Sequence, residues 1–198
     1  MNFRAQHPSM GATLADVGQE AEVDALFEAV AQDFDGLDIL VNNAGIAGPT
    51  GAVEDIMLDD WNSTLNVCLT GQFLCVRRAA PMIRAAGGGL IVNLFSAAGR
   101  FGYAWRTPYS SGKWGVIGLT QSLAKELGRD NIRVNAILPG IVAGARMDGV
   151  IRARAAQMGM SAEDCEREYL ARISLRRMVD PEDIAAMVLF PCQPWRSE

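Results

Sequence analysis

Residues 87–96 read Gly87-Gly88-Gly89-Leu90-Ile91-Val92-Asn93-Leu94-Phe95-Ser96, and they decide the fold. Three glycines stop the helical pattern before them. The run that follows is nearly all apolar, rich in strand-forming residues and too short for a helix. It does not alternate, so both of its faces are to be buried. A strand buried on both faces belongs inside a parallel sheet with helices on either side.

The same unit recurs on both flanks. Upstream, residues 37–42 (LDILVN) form a second apolar run, followed by Asn43-Ala44-Gly45 and a loop. Downstream, residues 132–138 (IRVNAIL) form a third, closed by Pro139-Gly140. Residues 12–17 (ATLADV) are expected to form one more strand. Helical patterns lie between: residues 20–34, with Val23, Leu26, Phe27 and Val30 on one face, and residues 61–86, where Pro81 is expected to kink the helix. Another spans 108–127, with Gly128 as its C-cap, and a last one covers 181–190. Strands alternating with helices predict an α/β fold, a doubly wound parallel sheet in one domain covering residues 1–198.

Composition narrows the function. A chain of 198 residues holds one sizeable core, and a formal net charge of −5 leaves no basic footprint for nucleic acid. No apolar run approaches the roughly 20 residues that span a bilayer. The segment from Met1 to His7 has no apolar signal core, so a cytoplasmic protein is expected. Cys68, Cys75, Cys165 and Cys192 form no C-x-x-C pair, and His7 is the single histidine. Buried reduced thiols are expected, and no metal site.

In open parallel sheets ligands bind beyond the carboxyl ends of the strands. Tyr109-Ser110-Ser111-Gly112-Lys113 opens the helix after the LIVNLF strand, and a Tyr and a Lys four apart share a helix face. Free tyrosine titrates near pH 10, so it needs a neighbouring cation to serve as a base at neutral pH. By itself Y-x-x-x-K is a common surface pattern. Ser96, thirteen residues earlier at the strand end, adds a hydroxyl that can donate to a substrate carbonyl.

Together these residues resemble the short-chain dehydrogenase/reductase family, over about residues 12–190. Asn42-Asn43-Ala44-Gly45 resembles its N-N-A-G segment, Asp16-Val17 its adenine-contacting pair, and Pro139-Gly140-Ile141-Val142 the segment whose backbone meets the nicotinamide carboxamide. The resemblance implies a Rossmann-type fold and NAD or NADP as cofactor. Tyr109 would be the acid/base, Lys113 would assist it and bind the nicotinamide ribose, and Ser96 would orient the carbonyl. Asn43, Ala44 and Gly45 would lie along the adenosine half. A small carbonyl or alcohol substrate, 3-oxoacyl-carrier-protein-reductase-like activity and a homodimer or homotetramer, paired through the helices near 61–86 and 108–128, are implied with it.

Departures from the family are visible too. Cys68 stands where the family usually has a proton-relaying Asn, and Gly144 where it commonly has a Thr. The family's glycine-rich T-G-x-x-x-G-x-G turn, which holds the pyrophosphate at a helix N-terminus, does not occur in these residues. The first two family strands and the last are therefore expected to be lacking, and the sequence after Phe190 does not resemble the family's ending. Segment 12–17 is then expected either to pair directly with 37–41 or to keep its family place over a gap. Weak or absent dinucleotide binding follows, and a catalytically silent homologue is the alternative to an oxidoreductase.

The stretch 143–172 is where the family keeps its substrate lid. It carries Arg146, Arg152, Arg154, Arg167 and Arg172. A solvated helix face with pairs such as Asp164–Glu168–Arg172 is expected, an acidic substrate being the other reading. Trp105 and Arg106 are candidates to line the substrate pocket, and Trp114 is assigned to the core or an interface.

Overall fold

The computed structural model describes residues 10–193. The expectations for the N-terminal heptad, for His7 and for the tail 194–198 lie outside the described residues. Three strands, β1 (Ile39–Asn42), β2 (Gly89–Leu94) and β3 (Ile132–Ile137), form a parallel sheet in the order β1-β2-β3. Val41 faces Val92 across one ladder, and Val92 faces Asn135 across the other.

The two-sided burial of β2 is visible residue by residue. Ile91 enters a core with Val23 and Phe27 of helix α1 (Glu20–Asp33) and with Ala79 and Ile83 of a later helix. Leu90, Val92 and Leu94 point the other way, against Ile184, Val188 and Cys192. Period-two alternation thus sends successive residues into two different helix layers, and no position of β2 has a polar side to face.

The long helix predicted over 61–86 is three pieces: α2 (Leu58–Leu65), a π-helical stretch (Asn66–Thr70) and α3 (Gly71–Ala85). The irregularity is the π turn, not Pro81, which sits inside α3. At the π turn the helix passes between two loops that each claim a side chain. Asn66 Nδ2 donates to Gly18 O at 2.7 Å, while Cys68 Sγ reaches Ile46 O at 3.5 Å. Such single π turns concentrate near functional sites. After α3 the glycines act as predicted: Gly87 N–H bonds Arg84 O and Gly88 N–H bonds Ile83 O, with φ of 93° at Gly87. That is the Schellman arrangement, which only a residue at ease with positive φ completes.

The remaining helices are α4 (Ala98–Phe101), α5 (Thr107–Leu127), α6 (Ala145–Met158), α7 (Ala162–Ala171) and α8 (Pro181–Cys192). Gly128 does not end α5 in a left-handed cap, since its φ is −59°. The chain runs on through a 3-10 turn, and Asn131 takes the left-handed position at φ 57°. Asparagine is among the few residues that adopt that conformation readily, and here its Nδ2 also donates across the fold to Gly87 O at 3.2 Å.

The expected strand at 12–17 is absent, which corrects that reading. Residues 10–16 adopt no regular secondary structure. Asp16 is consumed by the entry to α1: its N–H bonds Glu22 Oε2 at 2.7 Å, its Oδ1 accepts from Gly18 N–H, and its carbonyl accepts from Gln19 N–H. A strand exists only through its ladder, and these groups are already spent on a local turn. The following Val17 is held against Gly71, where an added Cβ would lie 2.9 Å from Val17 O. The segment therefore does not move in beside β1, which remains the edge strand of the described residues with Ile39 and Val41 more than a third exposed.

One buried polar chain ties sheet and helix together. Asn42 Nδ2 donates to Asn93 Oδ1 at 2.9 Å, Asn93 Nδ2 to Thr120 Oγ1 at 2.9 Å, and Thr120 Oγ1 to Val116 O at 2.7 Å. It spans β1, β2 and α5, and all three side chains are at least nine-tenths buried. In Asn93→Ala the amide of Asn42 loses its acceptor in the interior, with an expected loss of about 2–4 kcal/mol in urea unfolding at unchanged m value. Thr120→Val, which removes one acceptor at the end of the chain, is expected to cost about 1 kcal/mol. Equal, small losses in both variants would show that the chain does not couple the strands to α5.

Candidate functional site

Leu94 ends β2, and its carbonyl is the acceptor around which the site is arranged. Lys113 Nζ donates to it at 2.8 Å and Gln72 Nε2 at 3.3 Å. Lys113 is 4% exposed, and burial pushes its ammonium below the ordinary lysine range; Cys68 opposes that shift and the Arg146 charge adds to it. Of its three N–H donors one has Leu94 O as acceptor. Tyr109, one turn earlier in α5, has its ring centroid 5.9 Å from Lys113 Nζ. The predicted shared face is thus the observed one.

Ser96 follows β2, and its Oγ accepts from Ala98 N–H at 3.2 Å. Its turn leads into α4, which lies on α5: Ser110 Oγ donates to Ala98 O at 3.0 Å. Gly99 permits that contact, since an added Cβ would lie 2.7 Å from Lys113 C and closer still to the Phe95 ring. The strand end with Ser96 is therefore clamped to the helical turn that carries Tyr109 and Lys113.

Beyond β1, Asn43 and Ala44 are exposed, whereas Gly45 lies alongside the lysine. A Cβ on Gly45 would stand 3.8 Å from Cys68 Sγ and 3.9 Å from Lys113 Nζ. Cys68, which the sequence places at the family's Asn position, is thus beside Gly45 and Lys113. Beyond β3, Pro139 O accepts from Ala97 N–H at 3.0 Å, which joins this loop to the Ser96 turn. Gly140 is exposed, and Val142 forms a parallel bridge with Val179. Asp16 and Val17 remain at the α1 turn, with Asp16 exposed and Val17 packed against the core.

Arginines crowd Tyr109. The Arg106 guanidinium carbon lies 4.9 Å from its ring centroid and 5.5 Å from that of Tyr103. Arg106 Nη2 donates to Ala47 O at 2.5 Å, while Nε and Nη1 are buried with no hydrogen-bond partner. Burial pushes the Arg106 guanidinium below its ordinary range. From the first turn of α6, Arg146 lies 5.9 Å from the Tyr109 ring and donates to Gly45 O at 3.3 Å. Farther along α6, Arg154 stacks over Tyr103 and Tyr169, whose hydroxyls bond to each other. A pocket of about 100 Å³ opens there, lined by Tyr103, Arg154, Cys165, Glu168, Tyr169 and Arg172 among others.

The lid region keeps the solvated face expected from its charges: Arg146, Arg152, Arg167 and Arg172 are exposed, and Arg154 is partly buried. Arg167 does pair outward, with Asp164, which Ser161 also caps, and this replaces the predicted Asp164–Glu168–Arg172 ladder. Arg146 and Arg154 lie over tyrosine rings, Arg146 while remaining exposed. Trp105 precedes Arg106 at a φ of 67°, a conformation non-glycine residues rarely adopt, and is about one-third exposed. Trp114 is half exposed and so is not core. Sequence reading gave Asn42 no role beyond its place in the N-N-A-G segment, and it missed Asn93, Thr120 and Gln72. A polar residue inside a doubly buried run, Asn93 in LIVNLF, is the signal that points to Asn42, Asn93 and Thr120.

These residues fit one half of a nicotinamide dinucleotide. Lys113 has uncommitted donors that suit ribose hydroxyls, and Gly45, with no side chain, lets a ligand approach between Cys68 and Lys113. Among the described residues no glycine-rich turn offers backbone amides to a pyrophosphate at a helix N-terminus.

Comparison with known proteins agrees with the architecture. The sequence profile of the family described as Enoyl-(Acyl carrier protein) reductase matches residues 2–198. The trans-4-hydroxycyclohexanecarboxylate dehydrogenase of Sinomonas cyclohexanicum is 38% identical over 175 residues, 88% of this chain, and this chain spans 61% of that relative. Among solved structures, an NAD+-bound xylitol dehydrogenase superposes with a TM-score of 0.89 at 29% identity, covering 92% of this chain and 72% of that one. An actinorhodin polyketide ketoreductase variant with NADPH gives 0.86 at 34% identity, covering 91% and 69%. A Rossmann-type parallel sheet and a profile match along nearly the whole length lead to one conclusion: the chain belongs to the short-chain dehydrogenase/reductase family.

Proposed function

We propose that this chain carries the catalytic part of an NAD(P)(H)-linked oxidoreductase that interconverts a small carbonyl compound and the corresponding secondary alcohol, with 3-oxoacyl-reductase-like chemistry. The observation that carries this reading is the buried Lys113 ammonium beside the Tyr109 ring, held by the carbonyl that ends the central strand. The dinucleotide, when bound, supplies or accepts the hydride. Tyr109 gives its phenolic proton to the carbonyl oxygen in reduction and takes it back in oxidation. Lys113 stabilises the phenolate by its charge and offers N–H donors to the ribose. Ser96 donates to the same substrate oxygen and fixes its orientation.

Asn43, Ala44, Gly45, Pro139, Gly140 and Val142 are assigned to the cofactor cleft, and Asp16 and Val17 to its adenine end. The chain is assigned to the cytoplasm and to a homodimer or homotetramer paired through the α2–α3 and α5 faces, where Phe73 and Trp114 are about half exposed. The second reading, a catalytically silent homologue unable to bind dinucleotide, is favoured by the open edge of β1 and by the lack of a phosphate-binding turn among the described residues.

Calorimetric titration of the chain with NADH and NADPH separates the two readings. Micromolar binding of either excludes the silent one. Where turnover of a carbonyl substrate is measured, Tyr109→Phe is expected to reduce it by about 10²- to 10⁴-fold, the scale for removing a general acid/base, and unchanged turnover ends the proposed mechanism.

Lys113 supplies an independent prediction. Because burial lowers its folded-state pKa, the unfolded chain holds that proton more tightly, and unfolding between the folded pKa and about 10.4 takes up a proton. The group's contribution to stability is unfavourable below the folded pKa and is relieved as pH rises through it. Lys113→Met is therefore expected to unfold at a higher temperature than wild type at pH 7, with the difference narrowing toward pH 10. A difference that widens with pH would contradict a buried, strained ammonium.

A further inference from the structure

We propose that the substrate of this site carries a carboxylate, and that Arg106, assisted by Arg146 at the cleft mouth, recognises it. The inference rests on the redox reading of Tyr109 and narrows its substrate class. Arg106 is 3% exposed, yet Nε and Nη1 have no acceptor, and the guanidinium's single hydrogen bond runs from Nη2 to Ala47 O. The four ion pairs among the described residues engage Arg77, Arg78, Arg84 and Arg167; none reaches Arg106, Arg146 or Lys113. Three cations thus surround one tyrosine without a carboxylate, in a chain whose net charge is −5.

Stacking alone does not account for this. A cation–π contact returns much less than the desolvation of a buried guanidinium that has no counter-charge. The arrangement also sets like charges against one another, since Arg146 depresses the protonation of both Arg106 and Lys113. A bound anion supplies the missing acceptors and cancels the repulsion. The residue type selects which anion: a guanidinium held over the rings of Tyr103 and Tyr109 presents its N–H groups in their common plane, and a flat carboxylate meets that edge. Arg146 lies over the same tyrosine ring and is exposed, so a second cation stands beside Tyr109.

The test compares isosteres on the unmodified chain. Trp105 adjoins Arg106, so tryptophan fluorescence can follow titration with cyclohexanecarboxylate and with the neutral cyclohexanecarboxamide at pH 7, without dinucleotide. The carboxylate is expected to bind at least tenfold more tightly, and the preference is expected to fall below threefold in Arg106→Gln and to weaken in Arg146→Gln. Arg106→Lys, which keeps the charge, should restore part of it. Equal binding of the two isosteres by wild type overturns the proposal without recourse to any variant, as does a preference that survives in both glutamine variants. Turnover of a cyclic ketone with and without a ring carboxylate separates this inference from the one beneath it. Selective carboxylate binding with no dinucleotide-linked turnover sinks the redox reading and leaves the anion site. Equal kcat/KM for the neutral and anionic ketones keeps the redox reading and sinks the carboxylate. An Arg106→Gln defect as large on the neutral ketone as on the anionic one assigns Arg106 to Tyr109 instead and overturns the proposal.

Discussion

The hydrogen bond from Lys113 Nζ to the carbonyl of Leu94 is the contact on which the site depends. It joins the last residue of the doubly buried strand to the second turn of α5, so it sets how far that helix advances along the sheet. Tyr109 lies one turn away and has no freedom to choose another face. Asn93, one residue earlier, fixes the same helix through Thr120, and Asn42 brings the end of β1 into the same chain of bonds. Strand ends, helix register and the position of the phenol are thus settled by polar groups that no water reaches.

Small residues then close the distance between elements. Gly99 lets the Ser96 turn lie on the backbone of α5, Gly71 lets the Val17 turn lie on α3, and Gly45 leaves space between Cys68 and Lys113. Each is a site where a side chain would stand between two backbones or between a backbone and a reactive group. The π turn at Asn66–Thr70 belongs with them, because it places Cys68 at the lysine while Asn66 holds the Val17–Gly18 turn. The substitution of cysteine for the family's usual asparagine therefore falls at a position that the fold does bring to the site.

The charged residues divide by environment rather than by sequence. Arg77, Arg78, Arg84 and Arg167 pair with carboxylates at the surface, where such pairs contribute little. Arg106, Arg146 and Arg154 instead lie over tyrosine rings at the cleft. Glu168 and Arg172, predicted to continue a surface ladder, line the small pocket between Tyr103 and Tyr169. The lid helices α6 and α7 are consequently tied to the Ser96–Tyr109 loop by aromatic and cationic contacts more than by apolar packing.

Local sequence determined a great deal here: the parallel sheet, its three strands, the Gly87-Gly88 stop and the pairing of Tyr109 with Lys113 on one helix face. All of these follow from periodicity, helical spacing or the φ that a glycine permits, which are properties of a short stretch of chain. Tertiary structure decided the rest. Residues 12–17 carry strand-like composition but form none, because a strand is defined by its partner and Asp16 spends its backbone on the α1 turn. Pro81 looks like the break in the long helix, yet the break falls at Asn66–Thr70, where two distant loops claim side chains. In sequence Arg106 is a candidate pocket residue and Arg146, forty residues on, one charge of a solvated helix face; only the fold brings both to one phenol. Burial and long-range pairing depend on residues distant in the chain, and no local pattern encodes them.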